Sequence, residues 1–161
     1  MQTDLALTQQ LIKLLKKHKF KVATAESCTG GMLAALLTTY SGSSTWFERG
    51  WVTYSNAAKI AELNVAEALI NKHGAVSAEV ASKMAEGALT ASYADLSIAI
   101  TGIAGPSGGT QEKPVGLVYF AFSMPDKPTS TICKNLTGSR SQIRFMACCE
   151  ALQGAIDKFK V

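Results

Sequence analysis

Two periods alternate along this chain, one of about 3.6 residues and one of two, and each marks an element. Leu7, Leu11, Leu14 and Leu15 recur at helical spacing and predict a first helix over residues 4–17 with its leucine face in the core. A short β-branched and apolar run, Lys21 to Ala25, predicts a strand, and Glu26-Ser27-Cys28-Thr29-Gly30-Gly31 turns it into a helix over 32–39. Trp46 to Tyr54 carries the aromatic and β-branched residues of a half-buried second strand, which Ser55-Asn56 stops and caps into a helix over 57–63. A further helical stretch over 65–72 closes at His73-Gly74. Ser77 then suits the N-cap of an alanine-rich helix reaching Tyr93, with Val80, Met84, Ala88 and Ala91 on one face. Asp95 to Thr101 is nearly continuously apolar, as a strand covered on both faces requires. Val115–Phe122 and Thr129–Leu136 predict a hairpin around Met124-Pro125-Asp126-Lys127-Pro128, and Ile143, Met146, Ala147, Leu152 and Ile156 mark a last helix over 139–159.

That order predicts an α/β fold of three layers, α/β/α, on a mixed, mostly parallel five-stranded sheet. At 161 residues, 47% hydrophobic and 17% charged, the chain is expected to form a single domain over 1–161 with a full core. No apolar run approaches the roughly 20 residues of a membrane span, and the amphipathic start lacks the core of a signal peptide, so a cytoplasmic protein with no membrane partner is expected. The net charge of +4 lies in residues 1–25, where five lysines face Asp4, while the rest of the chain balances eleven against eleven. With no aromatic residues interleaved for base stacking, that cluster reads as a solvated helix face, and no nucleic-acid partner is expected. Cys28, Cys133, Cys148 and Cys149 lack metal-ligand spacing and, with only two histidines, predict no metal site.

Two turns carry the glycines. Ser27 to Gly31 and Thr101 to Gly109 both follow strands, and their amides and hydroxyls, at Thr29, Gly30, Gly31, Thr101, Gly102 and Gly105, suit phosphate. Neither turn is a Walker A motif or a dinucleotide fingerprint, which argues against ATP hydrolysis and NAD redox chemistry. A serine needs a base to attack at neutral pH, and the base near these serines is Lys59, provided that burial lowers its pKa; Tyr54 could order the lysine or shuttle its proton. Spacing alone favours a plain assignment, with Lys59 on a helix surface, Tyr54 a strand-end aromatic and Ser43 and Ser44 turn or cap residues. Geometry divides the serines. A strand over 50–54 rises by about 3.3 Å per residue and separates its ends by about 13 Å, so Ser44 before it reaches Lys59 after it only by a fold-back of the chain or from a neighbouring subunit. Ser27 ends strand one and, if the two strands run parallel, lies beside the end of strand two. Ser27 is therefore the preferred nucleophile, and Ser44 a bridging hydroxyl or ligand contact.

The motifs AESCTGG, GSSTWFERGWVTYSNAAK, HGAVSAEVA, AITGIAGPSGG and EKPVG together resemble the C-terminal domain of the competence/damage-inducible protein CinA family, as found in stand-alone nicotinamide mononucleotide deamidases. The resemblance spans nearly the whole chain. It implies hydrolysis of nicotinamide mononucleotide to nicotinic acid mononucleotide and ammonia by a serine/lysine mechanism without metal or other cofactor, and a homo-oligomeric assembly. The family's functional positions fall on Ser27, Ser44, Tyr54, Lys59 and Thr101. Gly138-Ser139-Arg140 stands where many members carry Gly-Asp-Arg, which marks Arg140 as the phosphate-binding arginine, with Arg144 the alternative.

The mechanism implied has neutral Lys59 take the Ser27 proton, with ammonia leaving before water resolves the acyl-enzyme. Amides between Cys28 and Gly31, or that of Gly102, would hold the oxyanion. Two rivals remain open on sequence. One is an amidase using Cys28 with His73 as base; the other is a non-catalytic module that binds a pyridine nucleotide within a competence or damage response.

Overall fold

The computed structural model describes residues 2–160, with side chains from residue 4 onward. Five strands, β1 (Val22–Glu26), β2 (Phe47–Val52), β3 (Leu96–Gly102), β4 (Leu117–Ser123) and β5 (Ser130–Asn135), form one sheet in the order β2-β1-β3-β4-β5. β2 and β3 flank β1 in parallel, β4 pairs antiparallel with β3, and β5 antiparallel with β4. Only β4 runs against the rest. The helices are α1 (Gln2–His18), α2 (Met32–Leu37), α3 (Asn56–Leu63), α4 (Glu67–His73), α5 (Ala78–Thr90) and α6 (Arg140–Asp157).

The alternation of side chains across the sheet sorts these helices into two layers. On one face Val22, Leu96, Ile98, Ile100, Val118, Phe120 and Phe122 pack with leucines of α1 and α2 and with Ile143 and Leu152 of α6. On the other face Ala25, Ala99 and Ala121 meet Ala81, Ala85 and Ala88 of α5, with Leu63 and Ile70 alongside. The predicted three-layer mixed sheet is thus the observed one. Large residues fill one side and alanines the other, which lets α5 lie close to the strands.

Several ends differ from the periodicity. The strand expected to start at Trp46 starts at Phe47, because Trp46 closes a single 3-10 turn, Ser43–Thr45, and its buried indole donates to the Leu37 carbonyl at 2.8 Å. The alanine-rich helix stops at Thr90 instead of Tyr93, where the Ser92 hydroxyl turns back onto the Ala88 carbonyl. Ser77 caps that helix as expected, its hydroxyl accepting from the Val80 amide. Ser139 and Gln142 form a reciprocal capping box at the start of α6.

Candidate active site

β1, β2 and β3 end at the same edge of the sheet. The chain leaves β1 for α2 on one face and β2 for α3 on the other, a divergence that opens a crevice at the carboxyl ends of the strands. A cleft of about 270 Å³ lies there, and Ser27, Cys28, Tyr54, Lys59, Thr101, Gly102, Gly105 and Arg140 are among its lining residues.

Ser27 directly follows the last residue of β1, and Lys59 sits in the first turn of α3, whose N-cap Ser55 accepts from the Ala58 amide at 3.0 Å. The two meet across 32 residues of sequence, with Lys59 Nζ 3.0 Å from Ser27 Oγ. The same nitrogen donates to the Thr53 carbonyl at 2.9 Å and to the Tyr54 carbonyl at 3.3 Å. Lys59 is 1% exposed, and burial lowers its pKa, with a small opposing pull from Cys28. A neutral amine has two N–H bonds and one lone pair. Deprotonated, the amine can give its two N–H bonds to the carbonyls and turn its lone pair to the serine; protonated, it donates to all three oxygens.

The phenol of Tyr54 has another place than the sequence suggested. Its hydroxyl accepts from Arg140 Nη2 at 2.9 Å at the cleft mouth, and only its backbone carbonyl touches the lysine. Arg140 also donates through Nη1 to the Gly105 carbonyl at 2.8 Å, tying α6 to the glycine loop. Thr101 Oγ1 donates to the Ala75 carbonyl at 2.9 Å and holds the facing wall, which Lys113 Nζ also fastens through the carbonyls of His73 and Val76. At Gly105, with φ of +75°, an added Cβ would stand 2.4 Å from Val115 Cγ1, so the loop can follow this path only without a side chain.

Ser44 lies outside the cleft. Phe47 pairs with Val22 and Val52 with Glu26, so the exposed 3-10 turn that carries Ser44 sits at the opposite end of β2 from Lys59, and the chain does not fold back. Thr29, Gly30 and Gly31 also fail to line it. The Gly30 amide donates to the Ser27 carbonyl and the Gly31 amide to Glu26, so neither is free for a phosphate. Arg144, the alternative phosphate ligand, donates instead to the carbonyls of Cys28 and Thr29.

Cys28 does line the cleft, but burial pushes its thiol up to about 11, which keeps it protonated at neutral pH. His73 is not among the lining residues, and its Nδ1 lies 3.5 Å from Glu79 Oε1. Among the described residues no group of three or more His, Cys, Asp and Glu is placed to hold a metal.

Sequence reasoning passed over one further residue, Glu26. Its carboxylate is fully buried and accepts the amides of Gly31, Leu33 and Ala34 at 2.8–3.1 Å, satisfying the start of α2. The available signal was an acidic residue ending an apolar strand just before a helix.

Known proteins resemble this chain in sequence and in fold. The protein of Escherichia coli K12 named nicotinamide-nucleotide amidohydrolase PncC is 47% identical over 153 residues, covering 95% of this chain and 93% of that protein. Its namesake in Enterobacter agglomerans is 44% identical over the same length. The crystal structure of the competence/damage inducible protein CihA from Agrobacterium tumefaciens matches with a TM-score of 0.93 at 40% identity, over 96% of this chain and 94% of that one. Residues 4–159 match the CinA C-terminal domain, and the chain belongs to that family.

Proposed function

We propose that this chain hydrolyses the carboxamide of nicotinamide mononucleotide, giving nicotinic acid mononucleotide and ammonia, with Ser27 as nucleophile and Lys59 as base. The observation that carries the reading is Lys59 Nζ, buried and 3.0 Å from Ser27 Oγ, with two carbonyls holding its remaining bonds. The relatives named nicotinamide-nucleotide amidohydrolase support the substrate.

Ser27 Oγ attacks the carboxamide carbon as its proton passes to Lys59 Nζ, and the carbonyl π electrons move onto oxygen. The lysine then gives that proton to the departing nitrogen as the C–N bond breaks, releasing ammonia and leaving an ester on Ser27. Water, its proton taken by the same lysine, attacks the ester, and the carboxylate product leaves with Ser27 restored. The ring's positive charge draws electrons from the carboxamide and favours both additions. Arg140, at the cleft mouth, is the phosphate ligand in this reading, moving from the neutral acceptors Tyr54 and Gly105 to an anionic one. Thr101, Gly102 and Gly105 line the same end. The reading also carries an assembly of more than one subunit, which sedimentation equilibrium tests.

Ammonia release from purified protein and nicotinamide mononucleotide, with chelator present, is the deciding experiment. Wild type turns over, and Ser27→Ala and Lys59→Ala each lose about 10⁴-fold in kcat, as removal of a covalent nucleophile or its base does elsewhere. Ser44 lies outside the cleft of its own chain, so Ser44→Ala stays within about threefold of wild type unless a neighbouring subunit supplies that hydroxyl, and a larger loss identifies the shared site. Turnover unchanged in Ser27→Ala sinks the mechanism.

A further inference from the structure

Arg140 and Arg144 stand one helical turn apart on the same face of α6, yet only Arg140 lines the cleft. Arg144 reaches past it to the nucleophile turn, with Nε 3.0 Å from the Cys28 carbonyl and Nη2 2.9 Å from the Thr29 carbonyl. Gly30, which follows, has φ of +59°, a left-handed backbone that favours glycine, and an added Cβ would come to ordinary contact distance, 3.4 Å, from Arg144 Nη2.

Within the turn the Gly30 amide donates to the Ser27 carbonyl at 3.0 Å and the Met32 amide to the Thr29 carbonyl at 3.2 Å, so the backbone after Ser27 is closed on itself, and Arg144 holds it from α6.

We propose that Arg144 is a positioning residue: by clamping the Cys28 and Thr29 carbonyls it holds the turn that sets Ser27 Oγ against Lys59 Nζ. This rests on the amidohydrolase reading above. Arg144 touches no substrate atom and is not the phosphate ligand.

Steady-state kinetics of Arg144→Ala and Arg144→Lys on nicotinamide mononucleotide test it. The alanine variant loses about 100-fold in kcat, as a misplacement of about 1 Å in a reacting group does, while KM stays within about threefold, and added guanidinium ion restores part of the loss. Arg144→Lys, a single ammonium facing two carbonyls, falls between the two proteins. A raised KM with unchanged kcat, or no change in either, overturns the proposal. If Arg144→Ala does not fold, the division of the Arg144→Lys effect between kcat and KM decides in the same way. If wild type releases no ammonia, the amidohydrolase reading fails, and the rate of Ser27 labelling by a fluorophosphonate, read by intact mass, decides for Arg144. Labelling slowed by about tenfold or more in Arg144→Lys supports the clamp. Equal rates in the two proteins, including none in either, overturn it.

Discussion

In the proposed mechanism Lys59 serves as the base because of what surrounds one nitrogen. An exposed lysine holds its proton to about pH 10.4 and has no lone pair to offer. Here burial lowers the pKa, and the carbonyls of Thr53 and Tyr54 fix the amine's direction. The base is competent when deprotonated, so kcat/KM climbs as pH rises through the lowered pKa of Lys59 and is lost as pH falls below it. A pH–rate profile that is flat from neutral to alkaline pH contradicts this. Lys59→Arg is expected to lose about 10⁴-fold in kcat, because a guanidinium stays charged and has only donors. Ser27 and Lys59 were legible in the sequence because each follows a strand that runs parallel to the other's. Glu26 and Arg144 were not, since their partners are backbone amides and carbonyls, which every residue owns. Tyr54 was found as a residue but misjudged in direction, because a strand-end phenol can turn either way and only Arg140 decides which.

At the scale of elements, α2 shows how a short helix is held. Six residues are too few to stand alone in water, and Gly31, its N-cap, offers no side chain to the first amides. The Glu26 carboxylate does this from the end of the preceding strand, which also fixes the turn carrying Ser27. Glu26→Ala leaves buried amides without an acceptor, and a loss of about 3 kcal/mol in a urea unfolding titration is expected. A loss below about 0.5 kcal/mol denies the carboxylate that role. Element types followed from periods of two and 3.6 residues, and most ends fell within a few residues. The exceptions, Trp46 and the last turn before Tyr93, are set by tertiary hydrogen bonds that no local pattern records.

Across the whole molecule the sheet is lopsided, with leucine, isoleucine and phenylalanine on the face of α1 and α6 and alanine on the face of α5. On the alanine side small side chains of strand and helix face one another. Ala99→Leu, in the middle of β3 and fully buried, is expected to cost about 1–3 kcal/mol by overpacking against α5, read as a lowered Tm. A variant as stable as wild type refutes the close approach of helix and strand. Layer order and the hairpin were readable from the succession of elements, but the strand order was not, since β1 lies between β2 and β3 through pairings that a linear pattern leaves open.

The clamp on the nucleophile turn comes from α6, the last helix among the described residues, while Ser27 belongs to the first strand. During synthesis the serine emerges before the lysine, and both before the two arginines of α6. A growing chain thus carries the Ser27 hydroxyl with the turn behind it untied until α6 has been made and has docked. The hydrolysis proposed for the folded chain waits on that helix.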